Sequence, residues 1–172
     1  MTAPCFVDAD ILVYARDPRD PLKQQRAAEW LDWLWQQRAG RTSMQVLTEF
    51  YAAVTTRLEP PVPADVAWHE VSRYFAWGPQ PVDDVLLWRA RELAQREGLA
   101  WWDSMVVAAA QIQDCSILAS ENLRDGAVFG TVTVRNPFTS VLEEPAARYV
   151  LVLPDYAKSR QAHRRAATGR GR

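Results

Sequence analysis

Histidine, lysine and cysteine are scarce in this chain of 172 residues, which has two of each: His69 and His163, Lys23 and Lys158, Cys5 and Cys115. Two histidines, far apart in sequence, argue against a histidine-rich zinc site and leave no well-placed base for a Ser/His or Cys/His nucleophile. The cysteines lie inside apolar runs and read as small buried hydrophobes, so no disulfide framework is indicated. A formal net charge of −1 gives no global pull toward a polyanion. Binding to nucleic acid would have to come from local patches or from metal ions. No window approaches the roughly 18 apolar residues of a membrane span, and no basic segment leads a long apolar stretch. The expectation is a cytoplasmic protein without a membrane partner.

What is present suits one α/β domain: 172 residues are enough for a sizeable core and short of two ordinary domains. Behind Pro4, the run Cys5-Phe6-Val7 favours a strand. It delivers two carboxylates, Asp8 and Asp10, before any loop residue. At the carboxyl end of a central strand, Asp8 would sit at the mouth of a crevice where α/β folds place ligands. The plain alternative is a helix cap, a role that suits Asp10 before Ile11 and Leu12.

Along the chain, Asp20 and Pro21 mark a helix start. Ala27, Trp30, Leu31, Leu34 and Trp35 recur at helical spacing until Gly40, with Trp33 off the stripe. After a short connection over 41–43, the residues Val46, Leu47, Phe50, Tyr51 and Val54 draw a second apolar face, with Glu49 beside it. The proline-rich stretch 59–63 reads as an inter-helix linker. Asp65 is read as a cap for a helix with Val66, Ala67, Val71, Tyr74 and Phe75. Asp83 and Asp84 open another with Leu86, Leu87, Ala90, Leu93 and Ala94 inward and Gly98 as its stop. That acidic pair is explained by the helix dipole. Trp101 and Trp102 lead into Asp103 and a nearly all-apolar helix, followed by a strand over 116–119, a polar loop over 120–130 and an alternating strand over 131–135. The order suggests a parallel sheet with helices on both faces. Val150 to Val152 could add a strand, and 158–172 is basic, small and polar, a mobile terminus or an arm for RNA phosphates.

Three acids stand next to deeply apolar residues: Asp8, Glu49 and Asp103. Each has a dull explanation, since Asp103 could cap its helix and Glu49 could pair with an arginine. Meeting in one cleft, they would raise one another's pKa unless a cation neutralised them. Oxygen ligands of that kind suit Mg²⁺ or Mn²⁺.

Four segments in this order, Phe6-Val7-Asp8-Ala9-Asp10-Ile11-Leu12-Val13-Tyr14-Ala15, Gln45-Val46-Leu47-Thr48-Glu49-Phe50, Trp102-Asp103-Ser104-Met105-Val106-Val107-Ala108-Ala109-Ala110 and Leu118-Ala119-Ser120-Glu121-Asn122-Leu123-Arg124-Asp125-Gly126, resemble the PIN domain. Within it they most resemble the VapC-type toxins of toxin–antitoxin pairs. The resemblance covers residues 4–138. It implies a three-layer α/β/α sandwich around a central parallel sheet of four or five strands, in a nuclease domain over 1–144 with a C-terminal extension over 145–172. It implies an endoribonuclease that uses Mg²⁺, with Mn²⁺ as a substitute, to cut single-stranded regions of RNA. Asp8, Glu49 and Asp103 match the catalytic, metal-holding acids. Asn122 stands where a fourth acid is often found, with Asp125 or Glu121 as the alternatives. Asp10 and Ser120 match supporting positions behind the metal ligands. A homodimer and a cognate antitoxin protein are further implications, with Trp33, Trp68 and Trp77 as candidate exposed contacts.

Two other readings bear on the same residues. An Asp-x-Asp after the first strand also serves haloacid-dehalogenase-type phosphatases. That family needs a lysine between its early and late acids, and none lies between Lys23 and Lys158. Asn122 keeps alive a different class, a catalytically impaired PIN-like module that only binds RNA or protein.

Overall fold

The computed structural model describes residues 3–139. The expected strand at Val150 to Val152, the basic terminus and the extension over 145–172 lie outside the described residues. Met1–Phe138 forms one compact unit. It is an α/β fold: a five-stranded, mostly parallel sheet with six α-helices.

The chain begins with β1 (Cys5–Val7), short and fully buried, and turns at once into α1 (Ala9–Tyr14). Then come α2 (Pro21–Gln37), β2 (Gly40–Arg41), α3 (Met44–Thr56), α4 (Ala64–Tyr74) with a 3₁₀ turn over Phe75–Trp77, α5 (Asp84–Glu97) and α6 (Trp101–Ile112). The strands β3 (Ile117–Ala119), β4 (Val128–Phe129) and β5 (Val132–Arg135) follow. Spatial order is β2-β1-β3-β5-β4, parallel except for the β4–β5 hairpin. β1 is buried throughout and carries no alternating pattern, because both faces of a parallel sheet are covered, whereas β5 alternates buried and half-buried residues as expected.

Register decides what meets at the sheet's edge. Val7 pairs with Ala119, Ala119 with Arg135, and Phe6 with Arg41. The residues that follow, Asp8, Ser120 and Thr42, therefore leave on the same side, the side where α/β folds bind ligands. The Asp8 N–H donates to Ala119 O at 3.0 Å and the Ser120 N–H to Arg135 O at 3.0 Å, which carries the ladder into the site. α6 packs on β3 and β5, while α1 packs on α2 and α3. A 12-residue helix is about 18 Å long. α6 is followed by a short turn and then β3.

Several local expectations hold for physical reasons. Asp20 accepts from Lys23 N and Asp83 from Leu86 N, so both are N-caps, and Gly98 ends α5 in the left-handed region at φ 68°. Others are corrected. Gly40 does not stop α2, which closes on Arg38 at φ 54°. Gly40 belongs to β2 instead, and a Cβ there would overlap the ring of Trp77. Asp65 lies in the first turn of α4, behind Pro63 at the cap position. Val66, Phe75 and Leu87 are exposed, not inward. Trp77 is 5 % exposed and Trp33 is half-buried, so of the three expected surface tryptophans only Trp68 is exposed. Trp88, Trp101 and Trp102 are exposed as well.

The contact between Gly40 and Trp77 gives a direct test. Gly40→Ala forces the indole out of a filled space, and overpacking of this kind costs about 1–3 kcal/mol. Urea melts should show a lower midpoint with an unchanged slope.

Candidate metal and nuclease site

Asp8 is the residue on which the site turns. Its backbone is still extended (φ −79°, ψ 162°), and its side chain caps α1, with Oδ1 accepting from Ala9 N at 2.7 Å. Its Oδ2 accepts from the Ser120 hydroxyl at 2.8 Å. That hydroxyl itself accepts from Leu123 N at 3.3 Å, which leaves its proton for Asp8. Asp8 is 7 % exposed and Ser120 fully buried. Burial drives the Asp8 carboxyl up, the neighbouring Asp10 charge adds to it, the Ser120 and Ala9 hydrogen bonds pull back, and Glu49 pushes up again. The outcome is a carboxyl raised from 3.8 to about 7. Neither hydrogen-bond partner is a cation, so at neutral pH Asp8 is only partly ionised.

Capping thus falls to Asp8 and not to Asp10, because the strand ends at Val7 and the helix opens at Ala9. Asp10, one residue into α1, does something else. Its Oδ1 accepts from Ile11 N at 2.7 Å, and its Oδ2 accepts from Glu121 N at 2.7 Å and Asn122 N at 3.1 Å. It ties the turn after β1 to the loop after β3. Burial raises its carboxyl above the ordinary range even though three N–H groups favour the charge. Asp10→Ala leaves two loop N–H groups without their acceptor, at about 1–3 kcal/mol. Hydrogen exchange should show the Glu121 and Asn122 amides losing protection first.

The candidates for a fourth acid are engaged elsewhere. Glu121 accepts from Lys23 Nζ at 2.5 Å. Burial opposes its charge, yet the Lys23 and Tyr14 hydrogen bonds outweigh that and hold the carboxyl below its ordinary range. The Lys23 ammonium also donates to Tyr14 Oη at 3.2 Å and stands 4.3 Å from the Tyr14 ring centroid. This is the sole lysine among the described residues, and its partners are Glu121 and Tyr14 rather than Asp8, so the phosphatase reading gains no support. Asp125 Oδ1 accepts from Asn136 N at 2.9 Å. Asn122 itself is exposed.

Glu49 and Asp103 both stand on helices. Ser43 caps α3 by accepting from Val46 N at 3.2 Å, and Thr42 Oγ1 donates to Val7 O at 3.4 Å, so α3 starts beside the end of β1. Glu49 is exposed, and its charge is felt at Asp8. The buried Gln45, one helical turn earlier, donates through Nε2 to Glu49 Oε1 at 2.8 Å. Asp103 is the third residue of α6 and half-buried. It is not a cap: Ala100 holds that position, and no side chain caps this helix. An acid in the first turn is favoured by the helix dipole.

The structure therefore bonds Ser120 to Asp8 and sets the charges of Asp10 and Glu49 against it, whereas the Asp103 side chain makes no hydrogen bond or ion pair to any of them. Among the described residues, no three His, Cys, Asp or Glu side chains stand as a ready metal cage. Mg²⁺ does not require one, since it is usually held by one or two carboxylates and keeps several waters. An all-oxygen donor set around a buried, part-protonated Asp8 fits such an ion. Gln45 escapes sequence reasoning because only its spacing of four from Glu49 signals the contact. Compared with protein-family models the chain matches none, and comparison with curated proteins gives no match either.

Proposed function

We propose that this protein is a Mg²⁺-dependent endoribonuclease with a PIN-like α/β/α architecture, acting in the cytoplasm as the toxin of a toxin–antitoxin pair. The observation that carries the reading is Asp8: a buried carboxylate with Asp10 and Glu49 as like-charged neighbours and, among the described residues, no cation bonded to it. The order β2-β1-β3-β5-β4, with β1 inside the sheet, supports the fold assignment. The antitoxin and homodimer rest on the sequence resemblance. No helix among the described residues is long and apolar enough to cross a membrane.

Asp8 and Asp103 would hold the ion, with Glu49 as a further ligand or as the base. When bound, Mg²⁺ lowers the pKa of a water and offsets charge on the scissile phosphate. Glu49, exposed on α3, would orient or deprotonate the attacking water. Ser120 fixes the free oxygen of Asp8, and Asp10 fixes the loop that carries Ser120 onward into Asn122. Trp101 and Trp102, exposed beside Asp103, offer rings on which unpaired bases can stack.

A second reading, a PIN-like module that binds RNA or protein without cutting, draws on the lack of a preformed three-residue metal cage among the described residues. Incubation of total RNA with the purified protein separates the two. The nuclease cuts with Mg²⁺ and stops with EDTA; RNA left intact under both conditions sinks the proposal.

A further inference from the structure

Gln45 is 7 % exposed and lies in the first turn of α3. Its Nε2 holds Glu49 Oε1 at 2.8 Å, whereas its Oε1 is buried with no partner among the described residues. A buried acceptor without a donor is destabilising, so glutamine is a poor choice for packing alone. Met or Leu would fill the same space more stably. The amide has one sensible orientation, because the flipped form would point Oε1 at the Glu49 carboxylate.

We infer that Gln45 is a positioning residue for Glu49, an inference that rests on the nuclease reading. An exposed glutamate has three side-chain torsions, and freezing them costs conformational entropy. Gln45 is itself held by burial, and its hydrogen bond fixes one carboxylate oxygen. Oε2 is left for the reacting water or the ion. Glu49 thus enters each turnover already aimed, from a helix that Ser43 caps and Thr42 ties to β1. Misalignment of a base by even a small displacement is felt in the chemical step and not in substrate binding.

The test uses the full-length protein, Mg²⁺ and total RNA at saturating and limiting concentrations, with Gln45→Met and, as a second variant of different shape, Gln45→Leu. Both are expected to keep or raise the melting temperature, because the orphan oxygen is gone. Both should lower the saturating rate by about 10- to 100-fold, the size of effect seen when a supporting partner is lost. The RNA concentration giving half-maximal rate should stay unchanged. Combined with Glu49→Gln, the Gln45 change should add little further loss, since both act on one group. A wild-type rate in the folded variants, or fully multiplicative losses, overturns the positioning role alone. Wild-type protein that leaves RNA intact overturns the nuclease reading and this inference with it.

Discussion

Asp8→Asn removes RNA cleavage and, in the metal-free protein at pH 8, raises the melting temperature. Both effects come from one carboxylate. Loss of an outer partner of a metal ligand typically costs 10–100-fold, so loss of the ligand's charge should cost more than about 100-fold. The amide can still accept from Ala9 N through its oxygen and donate to Ser120 Oγ, so the cap of α1 survives. What disappears is the burden of an ionised group that is 7 % exposed beside Asp10 and Glu49. One pKa unit is worth about 1.4 kcal/mol, so relief is on the order of a few kcal/mol at most. Activity assays and thermal melts on the same preparation check the pair. An Asp8→Asn protein that cuts RNA like the wild type, or melts earlier than it at pH 8, contradicts the assignment.

Metal-free wild-type protein loses stability as pH rises from about 4 to about 7, and Mg²⁺ restores it at pH 8. In the folded chain the Asp8 carboxyl is raised from 3.8 to about 7. Between those values the folded state holds a proton that the unfolded state has released. Stability falls with pH wherever the folded state binds more protons. Asp10, also raised by burial, acts in the same direction. Asp17, held low by its Arg19 hydrogen bonds, and Glu121, held low against burial by Lys23 and Tyr14, act in the opposite one. Their contribution is present above the ordinary carboxylate range and lost on acidification. The difference between wild type and Asp8→Asn across the series isolates Asp8. An ion at 100 times its Kd adds about 2.7 kcal/mol by mass action. A difference between the two proteins that is flat in pH, or a Mg²⁺ effect equal in both, would count against this.

How much of this the sequence carried depends on the length scale of the signal. Asp8 was legible because an apolar run stops at it, and Asp20 and Asp83 because each precedes a helical stripe. Ser43 belongs to the same class of signal but is hidden in a short connection. β2 and β4 are two residues each, below any period, and they exist because β1 and β5 offer backbone partners. Trp77 is inside for a reason no stripe contains: Gly40 lacks a side chain beneath its ring. Val66 and Leu87 face outward because local hydrophobicity does not say which turns of a helix meet a neighbour. In the site, the separation of Asp8 from Asp10 was legible as a difference of roles, while the cap falls on Asp8 where Asp10 was expected. Gln45 needed its burial to be seen, and Asp103, expected beside Asp8 and Glu49, lies in the first turn of α6 with no bond to either.

The proposed anchoring of a divalent cation by Asp8 is tested most directly by calorimetric titration of Mn²⁺ into the metal-free full-length protein. Run at a pH of about 6.5, just below the raised Asp8 value, in buffers of different ionisation heat, wild type is expected to bind Mn²⁺ with release of a proton. The ion displaces the proton that buried Asp8 retains. Asp8→Asn is expected to show neither the binding nor the proton. Equal binding by the two proteins, or none by the wild type, would contradict it.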